Sequence, residues 1–185
     1  MRVFYSIVRT TCLVAALSVL IAGASAAQTP APTPAPTISS AIGLVWTAAK
    51  RNIAESAEQM PEADYTFRPT DQVRTFGEIL AHVAGANYVF CAPARGEKTP
   101  FEEDHFEKTV KTKAEIVKAL NDSFAYCDAA YTALTDRTAA EAIGSGNQPR
   151  ALTLIRNAVH LQEHYGNLVT YFRIKGMVPP SSRRQ

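Results

Sequence analysis

Strand-like alternation of apolar and polar residues is missing from this chain, as is any repeat at solenoid spacing, which argues against sheet-rich and repeat architectures. No Ser-His-Asp spacing, phosphate-cradling glycine loop or Cys-x-x-Cys occurs, so nucleophilic serine and redox dithiol mechanisms find no support. An excess of one charge is lacking too. Nineteen Lys and Arg stand against 17 Asp and Glu, and the first 27 residues hold Arg2 and Arg9 without an acid, leaving 17 of each beyond them. Nothing in this balance suggests the basic face that nucleic-acid binding usually requires, and no nucleic acid is expected as a partner. Cysteine is scarce, with three in all.

The opening "MRVFYSIVRTTCLVAALSVLIAGASAA" has a basic start, an apolar run and small residues at its end, the pattern of a cleavable secretory signal peptide over residues 1–27. Both Ala24-Ser25-Ala26 and Ser25-Ala26-Ala27 fit the cleavage pattern. The apolar run from Leu13 to Ala22 is shorter than the roughly 20 residues of a spanning helix, so no stable membrane insertion is expected after cleavage. Cys12 precedes the apolar run and does not suit lipid attachment. Residues 28–37, "QTPAPTPAPT", form an extended proline-rich linker without a core. Residues 38–180 have the length of one domain, and 181–185 are a short basic tail read as solvated. The expected location is periplasmic or secreted. In such an oxidising compartment Cys91 and Cys127 can form a disulfide, provided their Cα atoms come within about 7 Å.

Four helices account for most of the domain. The first is expected after Ser39 or Ser40, with Ile42, Val45, Trp46, Ala49, Ile53 and Met60 as a core stripe and Pro61 as its end. A long connection with room for one helical turn follows. Thr75 and Glu78 have capping-box spacing and open a second helix to about Cys91, ended by Pro93 and Gly96. A charged loop containing His105, read as exposed, leads to a third helix capped by Thr112 and Glu115, with Val117, Leu120, Phe124, Cys127, Tyr131 and Leu134 on its seam. After "GSGNQPR" the fourth runs from near Ala151 to Lys175. The expected fold is all-α, an antiparallel four-helix bundle in which long connections permit a crossover.

Three of the four histidines fall on two of these helices. His160 and His164 are four apart, about 40° around the axis, and project from one face. His82 sits in an apolar segment beside Gly85 and Ala86, where a neutral ring needs a partner to offset desolvation. Together they form a three-histidine set from two helices, the open type that leaves a position for water or substrate. "HLQEH" also satisfies H-x-x-E-H, but that protease pattern needs a further acidic ligand downstream and no Asp or Glu follows His164. Glu163 remains a candidate catalytic base or a solvated ion-pair partner. Glu78 has its capping role, Asn157 can orient a ligand, and Tyr171 is expected to pack.

The segment "RTFGEILAHVAGANYVF" followed by "HLQEHYGNLVTYFRIKGMVPP" resembles the DinB/YfiT-like superfamily over residues 38–180. That resemblance implies a four-helix bundle with His82, His160 and His164 as ligands of a divalent metal, zinc or nickel foremost. It also implies a small-molecule substrate with a low-molecular-weight thiol as cosubstrate; pairing into a homodimer is open. A metal would lower the pKa of a bound thiol or water, serving thiol transfer or hydrolysis, the latter favoured where reduced thiols are scarce. A non-catalytic secreted bundle that binds a metal or ligand is the alternative.

Overall fold

The computed structural model describes residues 35–184, with Arg184 through its backbone alone. The signal peptide and all but the last three linker residues lie outside the described residues. Four long helices build the domain: α1 (Ile38–Gln59), α2 (Phe76–Arg95), α4 (Lys113–Thr132) and α6 (Arg150–Ile174), with short helices α3 (His105–Thr109) and α5 (Asp136–Ala139) between them.

Local chemistry sets the helix starts. Thr75 and Thr112 each accept an N–H from the glutamate three residues on, and each glutamate accepts the threonine N–H in return. Thr37, at the end of the linker, makes the same reciprocal pair with Ser40, so α1 begins earlier than the serine pair suggested. Pro93 does not end α2. The helix continues to Arg95 and closes at Gly96, whose φ of 75° is open to glycine without Cβ strain.

Helix α2 packs on α4 and α6, and α1 packs on the same two, which leaves α1 across the core from α2. Side-chain pairs fix the directions. Asn87 meets Ser123 and Cys91 meets Cys127, so α2 and α4 run parallel. Asn87 meets Asn157 and Phe76 meets Phe172, so α2 and α6 run antiparallel. Trp46 stacks on Tyr131 while Lys113 reaches the carbonyl of Met60, so α1 opposes α4. The order is therefore up-down-down-up, and the expected crossover is the segment 96–112. It has to return along the length of a 20-residue helix, about 30 Å, before α4 can start beside α2.

Aromatic residues hold that crossover down. Phe101 lies 5.0 Å and Phe106 6.0 Å, ring to ring, from Tyr88 of α2. His105 stacks on Phe101 at 4.7 Å and starts α3, half-buried, which corrects its reading as an exposed loop residue. Gly85 permits the closest approach. A Cβ there would overlap the carbonyl oxygen of Glu103 and come within 2.8 Å of its carbonyl carbon. The small residue beside His82 thus makes room for backbone, not for a ligand.

Three further expectations are corrected. Val45 is exposed, because the α1 stripe turns at Ile42, Trp46, Ala49 and Ile53 and leaves it outside. A two-residue antiparallel ladder, β1 (Ala142–Ile143) with β2 (Gln148–Pro149), occupies the loop before α6; it is too short to show as alternation. The basic tail is not simply solvated. Residues from Pro180 form a 3₁₀ turn in which Ser181 exchanges hydrogen bonds with the Tyr165 hydroxyl at 2.8 Å. The core itself includes a polar chain, Tyr131 to Asn157 to Asn87 to Ser123, whose contacts of 2.8 to 2.9 Å compensate the burial of these groups. Cys91 and Cys127, both fully buried, join α2 to α4 as a disulfide with Cα atoms 5.4 Å apart.

Candidate metal centre

The antiparallel register of α2 and α6 assembles the site. Ala94 meets Arg150 at one end, Asn87 meets Asn157 in the middle, and Phe76 meets Phe172 at the other end. His82 then falls opposite the turn bounded by His160 and His164. Nε2 of His160 lies 3.1 Å from Nε2 of His82 and 3.0 Å from Nε2 of His164. Among the described residues these three donors form a group lying within 4.8 Å of one another. His82 and His164 are buried and His160 is half-buried, with Phe90 5.5 Å from its ring.

Three ring nitrogens converging this closely fit a shared ion. A neutral imidazole nitrogen offers either one N–H or one lone pair, so His160 Nε2 cannot serve two facing nitrogens well by hydrogen bonds alone. Two nitrogens that are each about 2.0–2.1 Å from one ion stand roughly 3 Å apart when they subtend a near-right angle. The His160–His82 and His160–His164 spacings meet that condition. His160 Nδ1, on the far side of its ring, is buried without a hydrogen-bond partner, so the near side carries that ring's polar interaction.

Burial, with the neighbouring histidines and Arg74 adding to it, lowers the His160 pKa to about 4 and that of His164 to about 3. Both rings are neutral at neutral pH, the form in which an imidazole can ligate a metal. Unfolded histidines titrate near 6.5, so as pH falls the unfolded chain takes up protons that the native state refuses. Stability is full above about pH 6.5 and declines progressively towards pH 3, where the native rings also protonate. Urea midpoints measured with chelator present should therefore fall between pH 7.5 and 5; equal midpoints in His160→Ala/His164→Ala and wild type across that range would contradict the assignment.

Two residues of the crossover reach the centre. Glu107 places Oε1 3.0 Å from His82 Nδ1, and Arg74 holds the same carboxylate, Nε to Oε2 at 2.8 Å and Nη2 to Oε1 at 3.3 Å. Glu103 Oε1 lies 3.5 Å from His82 Nε2, on a half-exposed side chain. Neither glutamate nor Arg74 stood out in the sequence. The usable signal was the aromatic pair Phe101 and Phe106 in a charged segment, together with an unexplained glycine inside α2. Glu163 is exposed, and the carboxylate within hydrogen-bond distance of His82 Nδ1 is Glu107. Glu78 caps α2, and Asn157 faces the buried polar chain and not the histidines. Asn167 comes within 3.5 Å of His164 Nδ1, while Tyr171 packs and donates to the Arg74 carbonyl at 2.5 Å.

A cleft of about 700 Å³ opens beside His164, lined also by Val73, Arg74, Ile79, Asn167 and Tyr171. A smaller one, about 340 Å³, lies on the His82 side among Arg74, Glu102, Glu103 and Glu107. The centre is thus reached from two sides of unlike charge.

Because Gly85 seats the crossover, Gly85→Ala is expected to cost about 1–3 kcal/mol and to lift residues 97–107 from α2. Thermal melts and limited proteolysis check this. Cleavage in that segment at the wild-type rate would show that the close approach does not matter.

Residues 46–168 match the DinB superfamily, and the chain belongs to that superfamily. The fold is similar to that of a conserved Enterococcus faecalis protein, with a TM-score of 0.61 and 14% identity over 75% of this chain and 97% of that one. It is also similar to a protein from Exiguobacterium sibiricum 255-15 described as a candidate member of the DinB family, with a TM-score of 0.55, 20% identity, and coverage of 75% and 91%. No curated protein matches.

Proposed function

We propose that the protein is an exported metalloenzyme whose divalent ion, zinc or nickel, is held by His82, His160 and His164 and which hydrolyses a small molecule or transfers a thiol to it. The convergence of three Nε2 atoms at 3.0 and 3.1 Å carries this reading. An ion held there would lower the pKa of a water or thiol and polarise an electrophile. The chain contributes the rest. His160 and His164, kept neutral by burial, offer ring nitrogens beside that of His82, the wider cleft admits a small substrate beside His164, and among the described residues Arg74 is the one charged group lining both clefts. Export is supported by the leader and by a disulfide of the kind that persists in oxidising compartments.

The test is turnover by zinc- and nickel-loaded protein on a panel of esters, amides, lactones and thiol acceptors, with His82→Ala beside it. Turnover that requires metal and disappears in the variant supports catalysis. Full metal loading with no turnover across the panel, and no access of small anions to the ion, supports a binding module instead.

A further inference from the structure

Resting on the metal-site reading above, we propose that Glu107 is a positioning residue for His82, fixing the ring as its Nδ1–H tautomer so that the Nε2 lone pair faces the centre. Nothing in the helical histidine spacing calls for this residue, which comes from the crossover 25 positions away. The geometry assigns the proton. Arg74 donates to both carboxylate oxygens of Glu107, at 2.8 and 3.3 Å, and a carboxylate paired in this way is an acceptor. His82 Nδ1, 3.0 Å from Oε1, must then be the donor. In a neutral imidazole that leaves the lone pair on Nε2, which faces His160 Nε2 at 3.1 Å; the half-exposed Glu103 Oε1, 3.5 Å from the same atom, lies outside ordinary hydrogen-bond range and does not compete with the 3.0 Å contact at Nδ1.

Placement is built in. Glu107 is mostly shielded, with its side chain 17% exposed, and it lies in a short helix whose approach segment is pressed on Gly85, nearly one turn beyond His82. Phe106, its neighbour, sits in the aromatic cluster around Tyr88. The same contacts that dock the crossover therefore orient the ligand, and ion affinity becomes coupled to that docking. A carboxylate on the outer nitrogen of a ligating histidine sets ring orientation and raises ligand basicity, and its loss costs about 10- to 100-fold in metal affinity.

Two measurements on the full mature chain decide it. Long-range ¹⁵N–¹H spectra of the metal-free protein read the His82 tautomer directly, and competition with a chromogenic chelator reads zinc affinity. Expected are a single Nδ1–H tautomer in wild type, a mixture in Glu107→Ala, and zinc affinity weaker by about 10- to 100-fold in that variant. Glu107→Gln, whose amide oxygen still accepts, should keep the tautomer and most of the affinity, which a purely structural defect would not restore. An unchanged tautomer with unchanged affinity in Glu107→Ala overturns the proposal. If wild type binds no zinc, the metal reading fails by itself, while the tautomer spectra still decide whether Glu107 orients His82.

Discussion

His160→Ala is expected to abolish the rise in melting temperature that zinc gives the wild-type protein. His160 Nε2 is the atom that both other donors face, at 3.1 and 3.0 Å, so removing it leaves two nitrogens on different helices without the central ligand. A ligand that binds only the native state stabilises it by about 2.7 kcal/mol at a hundredfold excess over Kd. For a domain of this size that is a shift of several degrees in wild type, about 2–4 °C per kcal/mol, and none in the variant. Differential scanning fluorimetry with and without zinc reads it. A variant that still gains the full increment would mean that the ion binds elsewhere.

Removal of the disulfide, by Cys91→Ala/Cys127→Ala, should lower the melting temperature by about 10 °C. The bond closes a loop with a sequence separation of 36 and links α2 to α4, the parallel pair that no short turn holds together. Chain entropy gives about 4 kcal/mol for a loop of that size. Because both sulfurs are fully buried, a mild reductant should act slowly on the native protein and quickly on the denatured one. Identical melts for the variant and the wild type would show that the bundle packs independently of the link.

The parts legible in the sequence were those specified locally. The boxes at Thr75 and Thr112 marked helix starts because a threonine and a glutamate three residues apart satisfy each other's N–H groups without tertiary help. The histidine triad was visible for a similar reason: four-residue spacing puts His160 and His164 on one face whatever the fold around them. Antiparallel packing of the second and last long helices then had only to bring His82 to that turn.

The illegible parts depend on the path of the chain between helices. Glu107 meets His82 and Arg74 only because the crossover runs back along α2, and nothing in residues 96–112 taken alone specifies that path. Gly85 carried the clue, since a glycine inside an otherwise regular helix costs stability and implies a close approach. The glycine alone does not say what approaches, because backbone and ligand leave the same signature there. Val45 shows a different limit. A residue three after Ile42 and four before Ala49 fits helical steps and still lies outside when the buried face is narrow.

The most direct test of the account is the metal content of the mature protein purified without an affinity tag, measured by plasma mass spectrometry beside His160→Ala/His164→Ala. Near one divalent ion per chain in wild type and background in the variant is the predicted result. Wild type that comes without metal and takes up neither zinc nor nickel when dialysed against them would contradict it.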